Sequence, residues 1–242
     1  MSKVWLIAQR ELMSYFSTWM GYIIITAAVL IDGLLFNAFA VGGVPKYSSV
    51  VLEDFFFLSS GMAMVAAIFL AMRLLAEEKQ TGTIVLYFTS PISERQIVYG
   101  KFLSSLIFFL ILQILTLHLP ALIFLEGKVS YGHIAAGYFG TILLGASVLA
   151  LTLFASVISP NQMVAGILGA SMTVVLLVLW IVSAVVDQPF RDIFSYLALH
   201  NKHFLPFSRG MVHIRDIVFY ISVILFFLEC SVRALEGRRL RG

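Results

Sequence analysis

Three groups of residues in this 242-residue chain have the type or spacing to do chemistry. Asp32, His118 and Glu229 are ionisable side chains inside long apolar runs, where charge is costly and usually serves a path, a relay or a catalytic site. His200 and His203, three positions apart, place two imidazoles on one helical face with His213 as a third, the beginning of a zinc site. The stretch 75–101 carries Glu77, Glu78 and Lys79. After them come a Thr81-Gly82-Thr83 turn, an apolar body Ile84, Val85, Leu86, Tyr87 and Phe88, and then Ser90-Pro91.

The first two groups have simpler readings beside the chemical ones. Glu229 has Arg233 four residues on, the spacing of a helical ion pair. His118 precedes Pro120 and is expected to bond locally around a kink. Glu229 belongs near one end of its run and Asp32 toward the other end of its own, which argues against an intramembrane enzyme built on Asp32, His118 and Glu229. Asp32 retains two readings, a residue lining a translocation path or an interspan hydrogen bond with Asn37. The chain has one cysteine, Cys230, which excludes an intramolecular disulfide and Cys-based metal sites. No bound metal is expected.

These residues need elements to hold them, and composition names the class of element. Hydrophobic residues make up 60% of the chain and charged residues 12%, where soluble domains carry about a quarter. Mean hydropathy is +0.98. The expected fold is an all-α polytopic membrane protein in a lipid bilayer, one transmembrane domain over 1–242, with no nucleic-acid partner. A span needs about 20 apolar residues, and six runs qualify: 20–41, 56–75, 102–125, 134–158, 164–186 and 217–235. Gly42-Gly43-Val44-Pro45, Glu126-Gly127-Lys128 and Ser159-Pro160-Asn161 supply turns between them.

Residues 2–19 are expected to form a helix in the membrane interface rather than a cleavable signal. Trp5, Ala8, Leu12, Tyr15, Phe16 and Trp19 fall on one stripe, with Lys3, Arg10, Ser14 and Ser17 opposite. Six spans put both termini on one side. Ten Lys and Arg residues near span ends share that side, namely Lys3, Arg10, Arg73, Lys79, Arg95, Lys101, Arg233, Arg238, Arg239 and Arg241. The short opposite loops offer Lys46 and Lys128, so both termini and the region 77–100 are expected in the cytoplasm. The segment 187–216 is then external. Its Phe190, Phe194, Tyr196, Phe204 and Phe207 predict short re-entrant or interfacial helices before the last span. Within it Arg209 and Arg215 are expected to meet lipid headgroups, an anionic substrate or Asp216.

The chemistry of 77–100 is that of a capped helix. Gly82 suits the left-handed residue that ends a helix, and Thr83 suits the N-cap of the next. Ser90-Pro91 reads as a further N-cap with proline at the first helical position. No capping box is expected there, because position 93 is Ser and Glu94 comes one residue late. A short apolar helix beside the membrane must pack on the chain itself or fill a groove on a partner.

The residues Glu77-Glu78-Lys79, Gly82-Thr83, Leu86, Ser90-Pro91 and Gly100-Lys101 resemble the coupling region of ABC-2 type transporter permeases. Gly140 to Gly145, Phe154, Ser156, Ser159, Asn161 and Gln162 resemble that family's fourth span and its following turn. Tyr87 departs from the pattern, standing where many members carry a second leucine. A narrower resemblance, through His203, Phe204, Phe207, Arg209, Gly210, Arg215, Asp216 and Tyr220, is to the F-subunit permeases associated with bacterial gliding motility.

The resemblance implies an ABC-2 or type V ABC exporter-like permease in a bacterial inner membrane. Its coupling helix would insert into a dimer of ATP-binding subunits. Partners would be those subunits, a second permease chain (a homodimer or a related subunit) and an auxiliary membrane protein. No G-x-x-x-x-G-K-[ST] run occurs in the sequence. The chain is therefore expected to be non-catalytic and to hold no cofactor, with ATP and Mg in the partner. Glu77 and Glu78 would contact basic residues of that partner or cap the junction, and Ile84, Leu86 and Phe88 would form the plug. Its work would be export or action on a membrane-associated partner. A scaffold that anchors an ATPase without transport is the other reading.

Overall fold

The computed structural model of the chain describes residues 2–42, 46–126 and 130–239. The expected turns at Gly43–Pro45 and Gly127–Lys128, together with Arg241, lie outside the described residues, as do the side chains of Phe88, Arg238 and Arg239. Among the described residues the only regular elements are helices. In chain order these are α1 (Lys3–Ser17), α2 (Trp19–Leu35), a π-helical turn (Phe36–Val41), α3 (Ser48–Gln80), α4 (Ile84–Thr89) and α5 (Glu94–Leu115). There follow α6 (His118–Glu126), α7 (Tyr131–Ile158), α8 (Gln162–Val185), α9 (Phe190–Leu197), α10 (Leu205–Ser208) and α11 (Ile214–Arg239).

Among the described residues, six segments are long and apolar enough to cross a bilayer: Trp19–Val41, Ser48–Gln80, Glu94–Ile123, Tyr131–Ile158, Gln162–Val185 and Ile214–Gly237. Three depart from the expected bounds. The second span starts eight residues before position 56 and runs on through Gln80, so Glu77 and Glu78 belong to the helix itself. The third is broken at Thr116–Leu117 into α5 and α6. Pro120 falls in the first turn of α6, where its missing N–H is one that a helix start leaves unpaired anyway. His118 bridges the break, its Nδ1 2.7 Å from the Leu115 carbonyl. The first span ends in the π-helical turn, which carries Asn37 outward to an exposed position.

Lipid gives apolar side chains little reason to prefer one another, so membrane helices associate through close backbone approach and polar contacts. α7 is central on that basis. Of its most apolar window 78% is buried, against 17% for α8. Its glycines admit aromatic rings. A Cβ on Gly137 would meet Phe56 of α3 at 2.3 Å, and one on Gly145 would meet Phe109 of α5 at 2.2 Å. Ser156 adds a polar tie, its hydroxyl accepting the Ala76 N–H at 2.9 Å and donating to the Met72 carbonyl at 2.9 Å.

α1 does not present the face expected of it. Ile7, Ala8 and Tyr15 are buried against the bundle, while Trp5, Phe16 and Trp19 are exposed. The packed face is rotated toward the side that looked polar. Ser14 belongs to it, because Arg73 needs the Ser14 hydroxyl, at 2.9 Å. The wheel located an apolar stripe correctly but assigned all of it to one environment, and a partner helix and lipid are both apolar.

The segment 187–216 departs further. Only α9 has the predicted interfacial character, with none of its residues buried. Phe204 and Phe207, expected at the leaflet, are both 0% exposed. The chain from 198 to 208 tucks in beside α3, α7 and α11. Phe207 lies over Gly140, where a Cβ would stand 2.4 Å from the ring's own Cβ. Leu199 N–H reaches the Leu176 carbonyl of α8 at 3.1 Å. Protein rather than lipid covers this irregular backbone, which removes the cost of its polar groups.

Candidate functional site

The region 77–100 is built on one buried ammonium. Lys101 is 0% exposed, and its Nζ stands 2.8 Å from Glu78 Oε1 of α3 and 3.1 Å from Glu11 Oε1 of α1. It also lies 5.4 Å from the centre of the Tyr87 ring of α4. Four helices thus meet on one cation. Its neighbour Gly100 allows the approach, since a Cβ there would fall 2.8 Å from Ile7 Cβ. A buried charge persists only when paired and hydrogen-bonded, and two carboxylates meet that demand.

A second layer surrounds the cluster. Arg73, 6% exposed, pairs with Glu77 at 3.3 Å and lies 4.7 Å from the centre of the Tyr15 ring. Tyr15 donates to the Leu70 carbonyl at 2.8 Å, and burial pushes its phenol well above the usual range. Lys79 donates to the carbonyls of Ser156, Val157 and Ser159. That is a cation on the C-terminal end of α7, where the helix dipole favours it. Lys3 reaches the Pro91 carbonyl at 2.5 Å, so α1 holds both ends of the connection. Arg10, Glu11, Glu77, Glu78, Thr81 and Thr83 border a crevice of about 180 Å³ beside these groups.

Glu77 and Glu78 are therefore committed within the chain, the first to Arg73 and the second to Lys101. Gly82 has φ +74°, the left-handed conformation that ends α3 and turns the chain back. Thr83 precedes α4 in the N-cap position but makes no capping bond. Its hydroxyl faces that of Thr81 at 2.9 Å instead. Ser90 closes α4 rather than opening a helix, its Oγ donating to the Tyr87 carbonyl at 2.9 Å. Pro91 stands outside the helices. The N-cap of α5 is Ser93, whose Oγ accepts the Gln96 N–H at 3.4 Å while Gln96 Oε1 accepts the Ser93 N–H at 3.2 Å. A capping box does exist, three residues further on than Ser90.

α4 divides its apolar residues between two surroundings. Tyr87 is buried and Ile84 packs partly on the core, whereas Val85 is 57% and Leu86 67% exposed. Burial pushes the Tyr87 phenol up to about 12. Its hydroxyl and Glu78 Oε2 have no hydrogen-bond partner among the described residues. The arrangement presents no base aimed at a nucleophile. Chemically it is a clamp that fixes one short helix against three longer ones.

The other candidates do not converge. Asp32 accepts from Ser59 of α3 at 3.2 Å rather than from Asn37. Glu229 takes Arg95 at 3.2 Å and Arg233 at 3.7 Å. His118 serves the α5–α6 break. His200 and His203 point at different elements, His200 to Ser60 of α3 at 2.7 Å and His203 to Asp216 of α11 at 2.7 Å. Burial pushes the His200 imidazole below its ordinary range. Arg209 pairs with Glu53 at 2.7 Å and Arg215 with Asp216 at 3.3 Å.

Sequence alone left Glu11, Ser59, Ser60 and Glu53 unremarked, gave Tyr87 only as part of an apolar body and a departure from the family pattern, and gave Lys101 only as a span-end charge and part of the resemblance. One signal for the cluster was available. Glu11 is the only acid in α1, and it falls on the same helical side as Ile7 and Ala8.

Among the described residues the chain is all-helical, with six apolar helices of which α7 is the central one, and is a multi-pass membrane protein. Residues 13–222 match the family described as ABC-2 family transporter protein. The chain belongs to that family and is a membrane permease subunit of an ABC transporter, a membership that implies partnership with an ATP-binding subunit. No curated protein matches the chain.

Proposed function

We infer that the chain is the non-catalytic half of an ATP-driven machine, in which α4 plugs into a groove on a separate ATP-binding subunit. The observation that carries this reading is the split on α4. Val85 and Leu86 face outward from a helix whose Tyr87 is seated in the chain. An exposed apolar pair on a rigid mount suits a partner's pocket. The mount suits transmission as well, because Lys101 ties α4 to α1, α3 and α5. A push on Leu86 would then move the second and third spans together.

In this reading the ATP-binding subunits form a dimer carrying ATP and Mg, and this chain holds no cofactor. Both termini and α4 are cytoplasmic, in a bacterial inner membrane, as the basic residues on that side favour. A second permease chain completes the cavity, and the cycle drives export or work on a membrane-associated partner. The motif from His203 to Tyr220 supports placement beside the gliding-motility-associated permeases and their auxiliary membrane protein.

Affinity purification from native membranes, with ATPase turnover measured on the complex, tests the reading. The wild type is expected to bring down an ATP-binding chain, and Leu86→Asp to lose it while keeping its own thermal stability. Retention of that chain with unchanged turnover in Leu86→Asp would overturn the assignment of α4.

A further inference from the structure

Asp32 sits inside the first span and is 3% exposed. Ser59 donates to its Oδ2 at 3.2 Å, and Oδ1 has no partner among the described residues. A carboxylate in such a place needs a cation, and among the described residues the neighbouring elements carry none at that depth. α2 packs on α1, α3 and α5. α3 has no ionisable residue between Asp54 and Arg73, and α5 has none between Lys101 and His118. Arg73 lies fourteen residues from Ser59, about 21 Å along the helix. The ionisable groups of α1 are engaged elsewhere: Glu11 on Lys101, Tyr15 against Arg73, Arg10 along the crevice beside them, and Lys3 on the Pro91 carbonyl. On α7, Tyr138 is bonded to Thr116 at 3.2 Å and His133 to the Ser208 carbonyl at 2.7 Å. Lys46 is held by Asp54 at 2.7 Å and by the Phe39 carbonyl at 2.9 Å.

A bound metal ion does not answer the need either. Hard cations take six or more oxygens, and one carboxyl group with one serine hydroxyl falls far short. A proton requires neither a cage nor a counter-ion. It converts the buried charge into a neutral acid whose remaining hydrogen bond is the one to Ser59.

We propose that Asp32 is a proton-binding site, a neutral carboxylic acid hydrogen-bonded to Ser59 across the contact between α2 and α3. Release breaks the carboxyl O–H bond, passes the proton to water and leaves a carboxylate. It therefore occurs only in a conformation where α2 parts from α3 and water reaches the group. Opening of that contact and loss of the proton are one event.

Infrared difference spectroscopy of the purified chain in lipid nanodiscs at neutral pH reads this directly. The expected result is a protonated-carboxyl C=O band above the amide region that shifts down in D2O and is lost in Asp32→Asn. Spectra of wild type and Asp32→Asn that superimpose in that region, or that differ only in carboxylate bands, would overturn the proposal. Ser59→Ala provides an independent reading should Asp32→Asn not fold. The same band is expected to move to higher frequency as its hydrogen bond is lost, and an unmoved band would remove Ser59 from the site.

Discussion

Glu78 and Lys101 are twenty-three positions apart and meet at 2.8 Å, in contact with a second carboxylate from α1. Removing the ammonium would leave Glu11 and Glu78 facing each other with nothing between them. Lys101→Ala is expected to destabilise the chain by ~3–5 kcal/mol, the usual cost of orphaning a buried charge. Adding Glu11→Gln and Glu78→Gln should return most of that loss. Thermal unfolding in detergent measures both, and a Lys101→Ala chain as stable as wild type would show that the cluster does not hold α1 to α5.

The two sides of α4 should respond oppositely to truncation. Tyr87→Phe removes a buried hydroxyl that makes no close hydrogen bond among the described residues and interacts with Glu78, so stability should stay within ~1 kcal/mol of wild type. Tyr87→Ala removes the ring from its seat beside Lys101 and should cost ~3 kcal/mol. Leu86→Ala, at an exposed position, should stay within ~0.5 kcal/mol. The same melts decide the matter: a loss on Leu86→Ala equal to that on Tyr87→Ala would mean that the chain uses both faces for itself.

Much of this architecture is legible in composition and period. Six apolar runs give six spans because bilayer thickness fixes the length of a helix. Gly82 announces its turn because only glycine reaches φ +74° without strain. What stayed hidden depends on partners distant in sequence. Ser90-Pro91 and Ser93-x-x-Gln96 are both fair start signals, and the choice turned on how far α4 ran. Phe204 and Phe207 look alike whether lipid or Gly140 receives them. Lys101 reads as one more positive residue at a span end until Glu11 and Glu78 are seen to converge on it.

Glycine in these helices marks close approach at some positions and nothing at others, which gives a prediction with its own control. A Cβ at Gly145 would meet Phe109, itself 0% exposed, at 2.2 Å, whereas one at Gly61 of α3 has nothing within 4 Å. Gly145→Ala is expected to cost ~1–3 kcal/mol by overpacking. Gly61→Ala should gain ~0.5–1 kcal/mol from the stiffer unfolded chain. Unfolding midpoints that shift equally for the two would refute the packing of α5 on α7.

His200 makes the segment 187–216 sensitive to acid. Ser60 Oγ donates to the Phe57 carbonyl at 2.6 Å and lies 2.7 Å from His200 Nε2, while His200 Nδ1 lies 3.2 Å from Asn201 Oδ1. The ring lies between Phe57 and Phe204, with centroids at 5.4 and 4.9 Å. Burial lowers the affinity of this imidazole for a proton relative to the unfolded chain. The unfolded state therefore binds the proton first as pH falls. The stabilisation is fully present above the unfolded value of about 6.5 and is lost as pH drops through the lower folded value. Wild-type chain should lose thermal stability on acidification below about 6.5 more steeply than His200→Gln, which keeps hydrogen-bonding groups toward Ser60 without a titrating ring. Hydrogen exchange should show the amides of 198–204 opening over the same interval. Parallel pH profiles for the two chains would mean that His200 is already protonated in place.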